Sequence, residues 1–441
     1  MSRRRHKSVS KHQEPHLRVY RDRSVLVFAD GSEVIFEEGR PSPEARQRYE
    51  RLITVLAAGW LDRFYEELPA SIQTVALTDT TAALLDQIVE SVTSEVGRAV
   101  AGLTILQLVI KCLEPAQSIR LHKGGAGDFS WREGISMRRL DSRFVTPFLR
   151  KHNLLRINKD GLFMTRSLAE NYPYTQFYKA AVRGAKQAWL DLIDQVELGV
   201  VPSCDALKYL LAKLRNRAER FMERAEYALQ ITRRWLATTP NPEQIESLIL
   251  QHINDSSYSA RLLEIGMHSF MQVLEDRKAL NGRLVPLCQM RTANKKHRNI
   301  ADVEVVNEEG VVIEAWDAKY GKPYLLDELY ELAEKLEGKT PEVVGFVVNR
   351  SPDIRRDILE TMHSIQEASG VEIHILALTD WLQFQLHRMG AEAHRAEIVQ
   401  EWATAYAEIL CQQRRDRAPV DEPADQWVED WISLLEQELQ G

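Results

Sequence analysis

After residue 250 the sequence alternates between helix-like and strand-like segments, and this alternation restricts the fold more than any other feature. The helix-like segments repeat apolar residues every three or four positions, whereas the strand-like ones are short apolar runs. In chain order they are helix 259–276, strand pair 300–321, helix 325–338, strand 342–350, helix 353–370 and strand 371–381. A strand pair followed by helix–strand–helix–strand predicts a mixed α/β sheet flanked by helices.

The composition is typical of a soluble globular protein. The 441 residues are 44% hydrophobic and 27% charged. A chain of this length predicts about two to four domains. There is no uninterrupted apolar run of about 18 residues, so we expect no transmembrane helix. The basic N-terminal stretch lacks an apolar segment behind it, so we expect no secretory signal.

The cysteines are too widely separated to suggest a paired arrangement. Cys112, Cys204, Cys288 and Cys411 include no CxxC pair. This spacing argues against a zinc ribbon and against a disulfide framework, and it favours a reducing compartment. We therefore expect a cytoplasmic protein.

The net charge of −7 and the pI of about 6.0 do not indicate nucleic-acid binding by the chain as a whole. Local basic clusters can still contact phosphate groups. Such clusters occur at 3–7, 120–123, 137–143 and 291–298. Each could simply be a solvated surface, but the last one leads directly into the strand pair, so Lys295, Lys296 and Arg298 are candidates for DNA contact.

We predict that the chain is organised in five regions. Residues 17–37 alternate apolar and polar positions on both sides of Asp30-Gly31, which predicts a β-hairpin. Residues 176–250 have the spacing of long helices, as in a helical hairpin or a dimerising arm. The regions are a basic tail with the hairpin at 1–40, a mainly helical region at 41–175, long helices at 176–250, the α/β domain at 251–390 and C-terminal helices at 391–441.

Within the helical region, residues 141–166 read as a short basic helix followed by a small hairpin turned at Asp160-Gly161. A basic helix and a basic hairpin resemble the second half of a winged helix, a common DNA-binding unit. Its candidate phosphate contacts are Arg143, Arg150, Lys151 and Lys159. The alternative is a helix–hairpin unit that binds no nucleic acid.

The strand pair at 300–321 carries acidic residues where apolar ones are expected. If NEEG at 307–310 is a four-residue turn, Val306 pairs with Val311 and Asp302 lies opposite Ala315. Side chains that are opposite each other, or two apart on one strand, point to the same face. Asp317 would then lie diagonally across from Asp302, at roughly 7–8 Å between the backbones.

The same count places the charged residues of the pair on two faces. Asp302, Asp317 and Lys319 share one face with Glu304, whereas Glu314 points to the other side. A different turn length would change this arrangement, because register depends on the turn.

Converging carboxylates repel each other unless a cation lies between them. Mg²⁺ suits such a site, because it takes only one or two carboxylates and keeps several waters. A neighbouring lysine could neutralise charge on a phosphate in the transition state. The alternative is a surface hairpin with ordinary polar residues, but the apolar runs around these acids place them near a core.

Together these residues resemble the signature of the PD-(D/E)xK nuclease superfamily, which includes restriction and repair enzymes. The signature is an aspartate on one strand and an acid-x-lysine on the next, here Asp302 and then Asp317-Ala318-Lys319. DAKY at 317–320 is similar to nuclease subunits of McrBC-type restriction systems and their relatives. The resemblance covers about 250–390 and implies a restriction-endonuclease-like core. The proline that usually precedes the first aspartate is missing here.

The resemblance also implies roles for individual residues. Asp302 and Asp317 would bind Mg²⁺ or Mn²⁺ together with the Ala318 carbonyl, and Lys319 would orient or activate the attacking water. Many members add a glutamate from the preceding helix, for which Glu264 is the candidate, although it could equally be a helix-surface residue. Lys322 could contact phosphate, and His268 is expected to be structural.

We therefore expect a metal-dependent endodeoxyribonuclease that cleaves double-stranded DNA, in restriction or anti-phage defence. A homodimer, or a complex with other defence proteins, would fit this role, and no membrane partner is expected. One alternative is a repair or recombination nuclease that recognises DNA structure. The other is a non-catalytic DNA-binding subunit on a degenerate nuclease fold.

Overall fold

The computed structural model describes residues 14–69, 75–125, 129–157, 161–288, 299–322, 324–415 and 422–440. The chain divides into two compact units, Met1–Ala218 and Glu219–Gly441. The finer five-part organisation remains a prediction from the sequence.

The first unit begins with a small antiparallel sheet. Its strands are β1 (His16–Val19), β2 (Arg23–Val27) and β3 (Glu33–Glu37), in the order β1-β2-β3. The predicted hairpin joins β2 to β3, and its turn is stabilised by the Asp30 carboxylate, which accepts hydrogen bonds from the Ser32 backbone N–H and hydroxyl. The prediction missed β1, because one alternating stretch contains two strands with a second tight turn between them.

The rest of the first unit is helical, as predicted. The helices are α1 (Pro43–Ala57), α2 (Trp60–Glu66), α3 (Asp79–Glu90), α4 (Glu95–Leu113), α5 (Met137–Leu140), α6 (Thr146–Lys151), α7 (Lys186–Glu197) and α8 (Ser203–Leu236), the last of which continues beyond Ala218. Among the described residues one helical stretch, Val96–Leu113 of α4, is long and apolar enough to cross a membrane. However, 78% of it is buried inside the fold, as is usual for a central core helix.

The predicted winged-helix hairpin is wrong. The described residues on either side of its turn, 153–157 and 161–168, contain no strand. Their apolar side chains are buried in the helical core, and a Cβ on Gly102 of α4 would lie less than 3.0 Å from the Leu162 side chain. The alternation that suggested strands arises from an irregular segment packed against α4. Lys159 lies outside the described residues.

The structure also corrects the expectation for the cysteines. Cys112, in the last turn of α4, forms a disulfide with Cys204, in the first turn of α8. Their Cα atoms are 5.0 Å apart, although the residues are 92 positions apart in the sequence. Spacing along the chain could not indicate this pair, because the helical core is what brings the two helix ends together.

The second unit contains the predicted mixed sheet. Its described strands are β4 (Arg283–Leu284), β5 (Val303–Val306), β6 (Val312–Ala318), β7 (Val343–Val348) and β8 (Glu372–Ala377), in that order across the sheet. The β4–β5 and β5–β6 pairs are antiparallel, whereas β6–β7 and β7–β8 are parallel. The carboxyl ends of β6, β7 and β8 therefore share one edge of the sheet with the start of β5.

Helices cover both faces of this sheet. They are α9 (Pro242–Asp255), α10 (Ser259–Asp276), α11 (Leu326–Lys335), α12 (Arg356–Ser369), α13 (Leu378–Arg388), α14 (Arg395–Leu410) and α15 (Ala424–Gln440). Trp316 and Val347 face the core that contains α10 and α13, whereas Ala315 and Phe346 face α11 and α12. The predicted last strand extended too far, because Leu378 already begins α13.

Candidate active site

The hairpin β5–β6 brings Asp302 and Asp317 together. Val303 pairs with Trp316, so extending the register by one residue places Asp302 opposite Asp317. The predicted pairs of Val306 with Val311 and of Asp302 with Ala315 are wrong. Val306 instead pairs with Val312, and the register shifts between Val305 and Val306.

The error in register left the predicted faces unchanged, because the shift near the acids is two residues and the side-chain period of a strand is two. Glu304 pairs with Ala315, on the face of Asp317, as predicted. Its carboxylate accepts hydrogen bonds from the backbone N–H groups of Ile300 and Ala301. Glu304 therefore shapes the segment that carries Asp302. Glu314 lies on the other face, where it accepts hydrogen bonds from Trp316 and Gln385.

The Asp302 carboxylate lies against the end of β6. It accepts a hydrogen bond from the Ala318 N–H at 3.1 Å and contacts the Asp317 carboxyl group, which is only 5% exposed. Burial, followed by the charges of Asp317 and Glu264, raises the pKa of Asp302 well above its ordinary value. None of the ion pairs found among the described residues includes Asp302. Asp317 itself pairs with Lys319 at 2.9 Å and with Lys335 at 3.9 Å, and a cation bound between the two carboxylates would favour the ionised form of Asp302.

Lys319 lies beside the pair and is held by two acids. Its ammonium group is 2.9 Å from Asp317 Oδ2 and 2.7 Å from Glu328 Oε2. Its backbone N–H donates to the Val347 carbonyl and so fixes it at the end of β6. Burial opposes the charge on Lys319, but the nearby Asp317 and Glu328 carboxylates outweigh burial and raise the pKa of the lysine. Glu328 was not predicted from the sequence, because it is one of several glutamates in an amphipathic helix.

Glu264 of α10 is brought towards the aspartates, as predicted, but it already has a partner. It forms an ion pair with Arg261, whose guanidinium also bonds Glu422 at 2.9 Å and the Cys288 carbonyl. Burial raises the pKa of Glu264, and the neighbouring Arg261 opposes this change. Arg261 is buried and was not predicted, although an arginine three residues before the glutamate on the same helix was a visible signal.

Polar side chains line the same edge of the sheet next to Lys319. The Gly321 N–H donates to Asn349 Oδ1 at 2.9 Å, and Asn349 Nδ2 donates to Asn254 Oδ1 at 2.9 Å. The Tyr320 hydroxyl donates to the Asn254 carbonyl at 3.3 Å. These contacts tie the chain after the motif to the strand end of β7 and to the end of α9. Ligands of open α/β sheets usually bind at this edge.

The predicted DNA contacts are only partly described. Arg143, Arg150 and Lys151 are exposed on the surface of the first unit, where Lys151 pairs with Asp62 at 2.7 Å. Lys322 is also exposed, and it pairs with Glu328 at 2.6 Å. The remaining candidates, Lys159, Lys295, Lys296 and Arg298, lie outside the described residues.

The donor set suits one hard cation. Among the described residues, no group of three or more His, Cys, Asp or Glu side chains is arranged to hold a metal ion. Asp302 and Asp317 supply two carboxylates, and the Ala318 carbonyl should face the same side as its N–H, since both point to one edge of a strand. One or two carboxylates plus water are the usual ligands of Mg²⁺, so these residues fit it. His268 is structural, as expected, because its Nε2 is bonded to the Val285 carbonyl at 3.0 Å.

Comparison with known proteins adds no relative to this picture. No protein-family model matches the chain, and no curated protein is significantly similar to it. The resemblance to PD-(D/E)xK nucleases therefore remains a prediction, and it is based on the hairpin residues and the order of the elements around them.

Proposed function

We propose that the protein is a metal-dependent endodeoxyribonuclease that hydrolyses phosphodiester bonds in double-stranded DNA. The observation that carries the proposal is the convergence of Asp302, Asp317 and Lys319 at the carboxyl edge of a mixed sheet. Two buried carboxylates in contact repel each other when both are ionised, even with Lys319 and Lys335 beside Asp317, so a bound cation gives the pair a reason to exist. The restriction-endonuclease-like fold is part of the same proposal.

Each residue of the site has a distinct task in this mechanism. Asp302 and Asp317, with the Ala318 carbonyl, would hold Mg²⁺ or Mn²⁺, which lowers the pKa of a bound water and neutralises phosphate charge. Lys319 donates hydrogen bonds, so it would orient the attacking water or a phosphate oxygen. Glu264 is a further candidate ligand only if it exchanges its ion pair with Arg261 for the metal.

The biological setting is proposed from the similarity of DAKY at 317–320 to restriction nucleases. We infer an enzyme of restriction or anti-phage defence that acts as a homodimer or with partner proteins. A repair nuclease acting on branched or nicked DNA would use the same residues. A non-catalytic DNA-binding subunit would have little use for an intact set of repelling acids beside a lysine.

Plasmid and phage DNA cleavage tests this proposal. Wild type should cut with Mg²⁺ or Mn²⁺ and be inactive in EDTA. Lys319→Ala and Asp302→Asn should each lose activity by about 10²–10³-fold, the usual effect of removing a group that stabilises transition-state charge. Arg356→Ala is the matched control, since Arg356 is 91% exposed on α12 and, among the described residues, pairs only with Glu360 of the same helix.

Two outcomes would contradict parts of the proposal. Cleavage that persists in EDTA, or in both Lys319→Ala and Asp302→Asn, would exclude this site as the source of activity. Strong preference for branched or nicked DNA over intact duplex would favour the repair enzyme over the restriction enzyme.

A further inference from the structure

A cleft of about 540 Å³ opens on the first unit, outside the candidate active site. It lies between the start of α1 and the segments around Gly124 and Ser136. Three of its lining residues are the exposed arginines Arg40, Arg46 and Arg139. None of the described residues that line it is an aspartate or a glutamate, so the cleft is basic on a chain of net charge −7.

These arginines differ from the arginines that stabilise the unit. Arg48 pairs with Glu133 at 2.7 Å, and Arg51 pairs with Glu114 at 2.6 Å. By contrast, among the described residues none of the cleft arginines has a carboxylate within ion-pair distance. No described carboxylate neutralises these three guanidinium groups, so an anion that enters the cleft would meet only positively charged side chains.

The walls of the cleft are formed by the start of α1 and by closely packed backbone. Arg46 lies in the first turn of α1, where the exposed Glu44 opposes the partial positive charge of the helix end. Gly124 and Gly134 approach so closely that a Cβ on Gly124 would lie less than 3.0 Å from the Gly134 carbonyl oxygen. The two backbone segments that form this part of the wall are therefore packed against each other, which fixes its shape.

Tyr49 lies close to the positive charges of this region. Its ring lines the cleft, and burial raises the pKa of its hydroxyl while the nearby charges of Arg139 and Arg143 oppose that rise. Arg143 is exposed and its charge acts on the Tyr49 hydroxyl, although the winged-helix hairpin predicted beside it is absent from the described residues. A phenol hydroxyl among guanidinium groups is a common arrangement for phosphate contact.

We propose that this cleft binds phosphate groups of a DNA backbone through Arg40, Arg46 and Arg139. The assignment rests on the proposed nuclease function, which makes duplex DNA the polyanion that the protein must hold. Phosphate contacts of this kind fix the position of DNA but do not read its sequence.

Duplex binding in EDTA tests the proposal without interference from cleavage. A short fluorescent duplex is titrated with full-length protein from about 50 to 200 mM salt. Arg46→Gln/Arg139→Gln should flatten the slope of log K against log salt by about 1.8, or about 0.9 per lost phosphate contact. Binding at low salt should weaken roughly ten-fold.

The matched control is Arg18→Gln/Arg23→Gln, which removes the same charge from exposed arginines paired with Glu33 and Asp22. It should bind duplex as wild type does. Circular dichroism and melting temperature show that each variant is folded. Titration of wild type with adenosine monophosphate separates a backbone site from a nucleotide site.

Several results would overturn the proposal. They are equal binding and equal salt slopes for wild type and the cleft variant, equal losses in the cleft and control variants, and binding of adenosine monophosphate without binding of duplex. A different result would reject the nuclease proposal. In that case wild type binds duplex through the cleft but does not cut it in Mg²⁺. If wild type cuts DNA and the cleft variant binds it as wild type does, only the cleft proposal fails.

Discussion

Lys319 is held by Glu328, which lies outside the acid-x-lysine motif. Glu328 bonds Lys319 at 2.7 Å and also bonds the exposed Lys322 at 2.6 Å. The lysine therefore sits between Asp317 on its own strand and an acid from α11. This arrangement limits the rotamers of a long flexible side chain, so Glu328 is a positioning residue rather than a catalytic one.

We expect Glu328→Gln to slow DNA cleavage by about ten-fold, which corresponds to about 1.4 kcal/mol in the barrier. The amide can still accept a hydrogen bond but no longer attracts the ammonium charge. The rate should fall through kcat rather than KM, because DNA binding does not need this pair. Arg356→Gln breaks only an exposed ion pair with Glu360 on α12, so it should retain the wild-type rate. Equal rates in all three proteins would exclude a positioning role.

The buried carboxylate of Asp141 should make the stability of the protein depend on pH. Its carboxylate is 1% exposed and accepts hydrogen bonds from the Thr146 hydroxyl and the Leu162 N–H. Burial raises its pKa to about 6, against the opposing effects of these bonds and of Arg138. The folded state thus binds the proton more tightly than the unfolded chain, whose pKa is near 3.8. Its stabilising contribution is full below pH 3.8 and is lost as pH rises through about 6.

The loss should amount to about 3 kcal/mol, since one pKa unit is worth about 1.4 kcal/mol. In urea denaturation, the stability of Asp141→Asn relative to wild type should therefore improve between pH 4.5 and 7.5. The variant loses one acceptor at every pH, which adds a constant cost but no slope. A stability difference that stays constant across this pH range would contradict the prediction.

At the residue scale, the sequence was enough to predict which side chains of the hairpin share a face. It was not enough to predict which side chains other elements bring to the site. Asp302, Asp317 and Lys319 share a face in any hairpin register that differs from the predicted one by an even number of residues. Glu328 and Arg261 come from helices, and their positions depend on how those helices pack. Periodicity gives the buried face of a helix but not which of its polar residues meets a strand end.

Among the elements, long periodic helices and apolar strands were predictable and irregular connections were not. Helix 259–276 was predicted with the bounds that the structure gives to α10. The register of the hairpin β5–β6 was not, because Asn307 accepts hydrogen bonds from the Glu309 and Val311 N–H groups and closes a tighter turn. The predicted hairpin beyond Asn153 failed for the opposite reason, since tertiary packing imposes an irregular path on residues with strand-like alternation.

β7 packs so closely against its neighbouring strands that substitution of its glycine, Gly345, should reduce stability. A Cβ on Gly345 would lie less than 3.0 Å from the His374 carbonyl oxygen and from the Trp316 ring. Backbone and a buried indole cannot both move aside, so Gly345→Ala should destabilise the second unit by about 3 kcal/mol, the upper range for overpacking. Thermal unfolding followed by circular dichroism measures this loss.

Gly266→Ala in α10 is the control for that measurement. Its added Cβ would meet the end of the Ile253 side chain at 3.2 Å, a contact that a small movement can relieve. Alanine also gains about 1 kcal/mol in helix propensity over glycine. We expect a stability within about 1 kcal/mol of wild type. If Gly345→Ala were equally mild, the sheet would be looser around Trp316 than the structure indicates.

At the scale of the molecule, each unit has a core of its own. The buried apolar residues of the second unit run from Phe221 to Leu435, and those of the first end at Leu214. The disulfide Cys112–Cys204 lies within the first unit. The composition indicated more than one core, but it could not place a boundary inside α8, because a continuous amphipathic helix carries no signal where its packing partners change.

We therefore expect the fragment 219–441 to fold without the first unit. It retains the second half of α8, whose Ala228 and Trp235 belong to the core shared with α9, α10 and α15. The fragment should show a helical circular dichroism spectrum and a cooperative thermal transition. It should also retain metal-dependent cleavage when added in excess, because the proposed site lies within it, but its duplex affinity should lack the contribution of the arginine cleft. A helical fragment without a cooperative transition would mean that the second core depends on the first unit.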